Sequence, residues 1–414
     1  MSAVTTPLSA AAVWRRIRFL GLVTILVLLV AYSGLDWWSG RRLSHQIARF
    51  EAKYGPLAAA VKPNLPPSDN RARLVRASAA LVSARPDGLT PAVERLLRPE
   101  SAATVDDDLR AVVNGNQQAI DLLGDLDSRQ QSSWDDGDPQ LLQLRQLGNL
   151  LYAAAMTDLA DGRADQAAER VVQGLDVANS LANEQTLIAQ LIRVAVGIPA
   201  LDTTQRLLAQ AEPSPSALEK LADRLAQCRR PDPMRAGLIG EAINVNLSFA
   251  GSETGLGSTN GGTPLLGGPL GRVARPLVRT ARTSYLAQME ALLDRQTGPR
   301  PRHTAPALAE PRWWSPVDRL ISTVMPGLER AIETGDAFNS ALAGAEIAVA
   351  LRRFRLQTGT YPDQLSALVP AYFDTVPIDP FTGAAPVYSR QGPGFSLQTA
   401  RRSNRPLADW RVTK

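Results

Sequence analysis

Apolar and polar positions follow three regimes along the chain. From Phe19 to Leu35 the side chains are continuously apolar or weakly polar. With Ile17 in front and Trp37-Trp38 behind, the run approaches the roughly 20 residues a helix needs to cross a bilayer. From Gln140 to Cys228 apolar residues recur at helical spacing instead. Leu144, Leu147, Leu151 and Ala154 form one stripe, and Ala167, Val171, Leu175, Ala178 and Leu181 a second. Leu187, Leu191, Val194 and Ile198 form a third, which Pro199 is expected to end. Leu218, Leu221 and Leu225 form a fourth, opened by Ser214 as N-cap and Pro215 at the first helical position. Near the C-terminus the period changes. A helix with Ile347, Leu351 and Phe354 on one face ends at Gly359, carries Arg352, Arg353 and Arg355 in its last turns, and gives way to Asp363–Leu368 as a short helical turn. Val387–Ser389 and Gly394–Gln398 then read as a hairpin around Gln391-Gly392-Pro393.

The connecting stretches are readable in the same terms. Arg41–Tyr54 continues the apolar run as a polar amphipathic helix until Pro56, and Asp106-Asp107-Asp108 places negative charge at a helix N-terminus. Trp134–Pro139 lacks the ligand spacing of a calcium loop and reads as a turn. Asp158–Leu175, with Gly162 at the turn, resembles one tetratricopeptide-type hairpin, but no 34-residue period recurs. Gly251–Gly271 holds six further glycines, Gly255, Gly257, Gly261, Gly262, Gly267 and Gly268, and two prolines, and is expected to be a mobile loop; a helix precedes it, so it does not match a dinucleotide fingerprint. Arg272, Arg275, Arg279 and Arg282 fall on one helix face and are candidates for meeting anionic headgroups or an acidic partner. A break is expected at Pro326-Gly327.

Charge sets the orientation of the apolar run. Arg15, Arg16 and Arg18 precede it and favour a cytoplasmic N-terminus, although Arg41 and Arg42 follow it. Because the run ends in bulky Trp37-Trp38 rather than at an Ala-x-Ala-like site, an uncleaved anchor is expected over a signal peptide. Across all 414 residues the formal net charge is +5, spread along the chain without the clustering a nucleic-acid footprint requires. Cys228 is the single cysteine, and His45 and His303 are the two histidines. Disulfide, Cys-metal and Cys/His or Ser/His/Asp chemistry therefore have poor support, and no cofactor or metal is expected.

The C-terminal word is the most specific in the chain. Tyr361, Pro362, Leu365, Leu368, Pro377, Asp379, Pro380, Phe381, Gly383, Tyr388 and Phe395 stand in an order that resembles the globular end of type II secretion major pseudopilins and related pilin-like proteins. The resemblance implies a small α+β module in which Tyr361, Pro362, Leu365, Asp379, Pro380, Phe381 and Gly383 carry the signature. The chain departs from that family upstream. The apolar run has neither a prepilin peptidase site nor the family's glutamate, and no acidic calcium loop follows Leu397. A shared module is expected, not a fibre subunit.

These readings give a mainly α protein: a cytoplasmic tail over 1–16, a transmembrane anchor over 17–38 and a helical extracytoplasmic domain over 39–300. A Pro-rich linker over 301–312, a helix plus α+β module over 313–400 and a basic tail over 401–414 complete it. The expected function is non-catalytic: a single-pass protein of the bacterial inner membrane, its bulk periplasmic, docking protein partners in a secretion or pilus-like assembly and binding no nucleic acid. The alternative is an envelope hydrolase using paired carboxylates such as Asp135 and Asp138, or Glu241.

Overall fold

A computed structural model describes residues 10–58, 62–82, 105–129, 131–134, 143–229, 232–254, 271, 273–297, 316–399 and 409–413. The fold is mainly helical, with one small antiparallel sheet near the C-terminus. Backbone proximity divides it into two units, which are taken in turn.

The first unit comprises Met1–Ala58, Ala242–Glu290 and Ala309–Ser322. Helix α1 spans Ala10–Tyr54 without interruption, so the apolar run and its polar continuation are one rod. Every side chain from Trp14 to Ala31 is exposed, and the stretch reaches a mean hydropathy of 2.1. Beyond it the helix acquires a buried stripe of Ser39, Leu43, Gln46 and Phe50, spaced by four, three and four residues. The rest of this unit's buried apolar residues include Ala242, Ile243 and Phe249 and Val278, Ala281, Tyr285, Leu286 and Met289.

The second unit comprises Ala59–Glu241, Ala291–Leu308 and Thr323–Lys414. It opens with α2 (Arg71–Leu81), α3 (Asp107–Gly115) and α4 (Gln117–Leu122). Asp106 caps α3, its carboxylate accepting from Leu109 N at 2.8 Å, as the acidic run predicts. Helices α5 (Gln143–Ala160) and α6 (Ala164–Asn179) form the antiparallel hairpin expected around Gly162. Helix α7 (Leu187–Gln210) packs on both, and α8 (Pro215–Cys228) packs on α6. Ser214 caps α8 by accepting from Ala217 N at 3.3 Å, with Pro215 at the first position.

Two apolar cores flank α6 and α7. Val177, Ala178, Ile192 and Val196 face one side, with α2 to α5; Val171, Leu175, Val194 and Ala200 face the other, with α8 and the C-terminal module. This two-sided burial explains why α7, at a mean hydropathy of 1.3, is apolar enough to cross a membrane yet lies largely inside this unit. It also explains the correction at Pro199, where the expected stop does not occur. A proline inside a helix costs about 3 kcal/mol, and packing on both faces of α7 offsets it.

Helix α9 spans Pro233–Thr254 and α10 spans Arg275–Thr297. Helix α11 is continuous over Pro316–Thr358, so the break expected at Pro326-Gly327 is also absent. Pro326 sits on an exposed face, where water can satisfy a carbonyl freed from the ladder. From Ala341 to Arg352 every side chain is buried, because this stretch of α11 is covered on several sides by the second core. The helix stops at Gly359, whose φ of +83° suits a residue without a Cβ.

The sheet has the order β1-β2-β3, with β1 Val387–Gln391, β2 Gly394–Gln398 and β3 Asp409–Val412. The β1–β2 hairpin stands where the sequence predicts it, with Gln391 opposite Gly394. Strand β3 is the addition, pairing Leu397 with Trp410 and Phe395 with Val412. It corrects the reading of 401–414 as a tail: Trp410 and Val412 are buried, and β3 packs on α7. Gly344 on α11 admits Trp410, since a Cβ there would stand 2.6 Å from the indole Nε1.

Candidate functional site

The signature residues of the C-terminal module hold it together and present little to solvent. Tyr361 stacks edge-on against Phe395 at 5.0 Å between ring centroids, and Tyr388 donates from its hydroxyl to Pro362 O at 2.6 Å. Burial pushes the Tyr388 hydroxyl up to about 12. Asp379 is fully buried and closes its own turn. One carboxylate oxygen accepts from Phe381 N at 2.8 Å and the other from Ser340 Oγ at 2.7 Å, while Gly383 N donates to Asp379 O at 2.8 Å. Pro380, Phe381 and Leu365 are buried beside it. Arg352, expected only to favour the helix end, is buried: it donates to the Tyr361 hydroxyl at 3.0 Å and to Glu212 at 2.8 Å.

The arginine face on α10 is mostly consumed within its own unit. Arg275 donates two hydrogen bonds to Asp36, at 2.8 and 2.7 Å. Arg279 bridges Asp36 and Glu253, at 3.1 Å each, and Arg282 bridges Glu253 at 3.0 Å and Asn246 at 2.7 Å. Arg272 lies outside the described residues. These arginines join α1, α9 and α10 of the first unit and are not a free cationic stripe. The sequence suggested otherwise because their acidic partners lie far along the chain, up to 243 residues from Arg279.

A second clamp lies further along α1. Glu290 accepts from Gln46 at 2.8 Å, Arg49 at 2.9 Å and Lys53 at 2.6 Å. Burial raises the Glu290 carboxyl, but the donors from Lys53, Gln46 and Arg49 outweigh it, leaving it below the usual carboxylate range. Because the folded value lies below the unfolded one, this contribution is present above the unfolded pKa and is lost as pH falls through the folded pKa. Glu290→Gln should therefore lower the melting temperature most at neutral pH. The gap between variant and parent should close in acid; a gap of constant size across the titration would count against the clamp.

The two clamps pair 36 with 275 and 279, and 46–53 with 290, so α1 and α10 run parallel here. Between them lies a groove of about 660 Å³ lined by Trp37, Trp38, Arg41, Arg42 and His45 on one wall and Thr280, Thr283 and Ser284 on the other. Arg41 sits 5.5 Å from the Trp37 ring centroid and Arg42 5.0 Å from that of Trp38. Such stacking fixes the guanidinium planes while leaving their edge N–H groups available. Among the described residues, neither arginine meets a carboxylate. The tryptophans and this arginine pair are visible in the sequence; the wall supplied by α10 is not.

Asp135 and Asp138 lie outside the described residues. Glu241 is raised by burial alone, without a second carboxylate contributing. The Cys228 thiol is fully buried and pushed up to about 12, chiefly by burial, which leaves it a poor nucleophile. Among the described residues, no group of three or more His, Cys, Asp or Glu is placed to hold a metal ion. Comparison with protein-family models, curated proteins and solved structures finds no match to this chain.

Proposed function

We propose that this chain is a single-pass protein of the bacterial inner membrane whose N-terminus is cytoplasmic and whose helical bulk lies in the periplasm. On this reading it is a docking or assembly component, not a catalyst, and it serves a secretion or pilus-like system. The observation that carries the anchor is the bare face of α1: from Trp14 to Ala31 nothing covers an apolar helix. A helix satisfies its own backbone in lipid, and burying those side chains in a bilayer recovers the apolar area that water would otherwise face. The span from Ile17 to Trp38 measures roughly 33 Å at 1.5 Å per residue, close to the hydrocarbon thickness. On this reading the tryptophans sit at the far interface, where their amphipathic rings are favoured.

The resemblance of the C-terminal residues to the pseudopilin module supports the assignment to a secretion or pilus-like assembly. The buried Tyr361, Pro362, Asp379 and Phe381 suit a role in building such a module, with contacts left to its surface. Strand β1 is an edge strand, and Val387 on it is 68% exposed. A photoreactive residue at Val387 or at exposed Ile378 should yield a crosslinked membrane partner in living cells. If neither position crosslinks while the protein is present at normal abundance, the docking role of this module is lost. Deleting the module would not serve, because Ala341–Leu351 belongs to the core of its unit.

A further inference from the structure

We propose that the groove between α1 and α10 binds the headgroup of an anionic phospholipid, with the phosphodiester held by Arg41 and Arg42. The inference rests on the membrane-anchor reading, because the groove begins where the exposed apolar stretch of α1 ends. Arg41 and Arg42 are exposed, stacked on Trp37 and Trp38, and paired with no carboxylate among the described residues, so they offer positive charge to an anion in the groove. The other cations beside the groove are engaged: Arg275 and Arg279 by Asp36, and Arg49 by Glu290. The fold thus spends some arginines on itself and leaves a matched pair at one depth.

The opposite wall fits the remainder of a headgroup. Thr280 and Thr283 donate their hydroxyls to Pro276 O and Arg279 O, each at 2.8 Å, so toward a molecule in the groove those hydroxyls can act only as acceptors. Acceptors repel a phosphate but suit the hydroxyls of a glycerol headgroup. Phosphatidylglycerol divides itself in the same way, with an anion on one side and hydroxyl donors on the other. Val273, just before α10, and Leu277 in its first turn are 71% and 64% exposed, and their spacing to Thr280 and Ser284 puts them on the same helix face as that wall. With exposed Trp37 and Trp38 on α1, they supply apolar side chains suited to the level where acyl chains begin.

The test uses the full-length protein in dodecyl maltoside, offered equal amounts of phosphatidylglycerol and phosphatidylcholine, washed, and weighed intact by native mass spectrometry. The wild type should retain one phosphatidylglycerol in preference to phosphatidylcholine by about tenfold or more, the scale set by two cations at a lipid phosphate. Arg41→Gln/Arg42→Gln should lose that preference, and Arg41→Lys/Arg42→Lys should keep most of it. Both arginines are exposed, so unchanged melting of the double variants checks the fold. Equal retention of the two lipids by the wild type overturns the proposal, as does full retention by the glutamine variant. Displacement of the lipid by excess inorganic phosphate overturns it in favour of a free-anion site. Alkaline carbonate extraction separates the underlying reading: release of the wild type removes the anchor and the lipid site together, whereas a carbonate-resistant protein with no lipid preference removes the lipid site alone.

Discussion

Trp410→Ala should destabilise the C-terminal module by about 3–5 kcal/mol, the range for truncating a large buried aromatic. The indole fills space beside Gly344, and its strand is the outer partner of β2 through Leu397. Truncation therefore removes apolar contact from a core that also includes Phe338, Phe395 and Leu397. For a domain of this size each kcal/mol moves the melting temperature by about 2–4 °C, so a fall on the order of 10 °C is expected. Trp410→Phe sharpens the test. The indole Nε1 is buried with no acceptor among the described residues, so the native side chain already carries the cost of an unmet donor. Phenylalanine removes that donor while keeping most of the ring, and should cost far less than alanine. Equal losses in the two variants would mean that the indole N–H has an acceptor and that volume is not what Trp410 contributes.

That strand also marks where sequence reasoning ran out. The β1–β2 hairpin was legible because two short strands sit on either side of a glycine-proline turn. Strand β3 has four residues, Asp409–Val412, too few to declare a period, and its partner lies beyond a basic stretch that reads as a tail. The cap at Ser214, the helix start at the acidic run Asp106–Asp108 and the turn at Gly162 were legible because each depends on residues within a few positions. Pro199 and Pro326 misled for the converse reason. Their local penalty is real, but packing on both faces of α7 offsets it at Pro199 and solvent exposure offsets it at Pro326, and no local window contains either. The candidate site divides along the same line. Trp37, Trp38, Arg41 and Arg42 are neighbours in sequence, but Thr280 and Thr283 join them only through the fold. The α10 arginines looked available because Asp36 and Glu253, which hold them, are distant in sequence.

Placing two arginines in the bare part of α1 should have the largest consequence of any change considered. Leu26 and Leu29 are both exposed and lie one turn apart, so substituting them disturbs no contact within the fold. In water such replacements on an uncovered helix would be close to neutral or favourable. In a bilayer each exchanges a residue worth about −0.5 kcal/mol for one costing about 2.5–3.5 kcal/mol near the helix centre. Together Leu26→Arg/Leu29→Arg should cost about 6–8 kcal/mol of insertion free energy, enough to abolish stable integration. The variant should leave the carbonate-resistant membrane fraction, and a reporter fused after residue 58 should lose its extracytoplasmic signal. The two environments thus predict opposite outcomes from one pair of changes. Undiminished membrane retention would mean that α1 is held by protein rather than by lipid, and the exposed face from Trp14 to Ala31 would then be the surface on which to seek that partner.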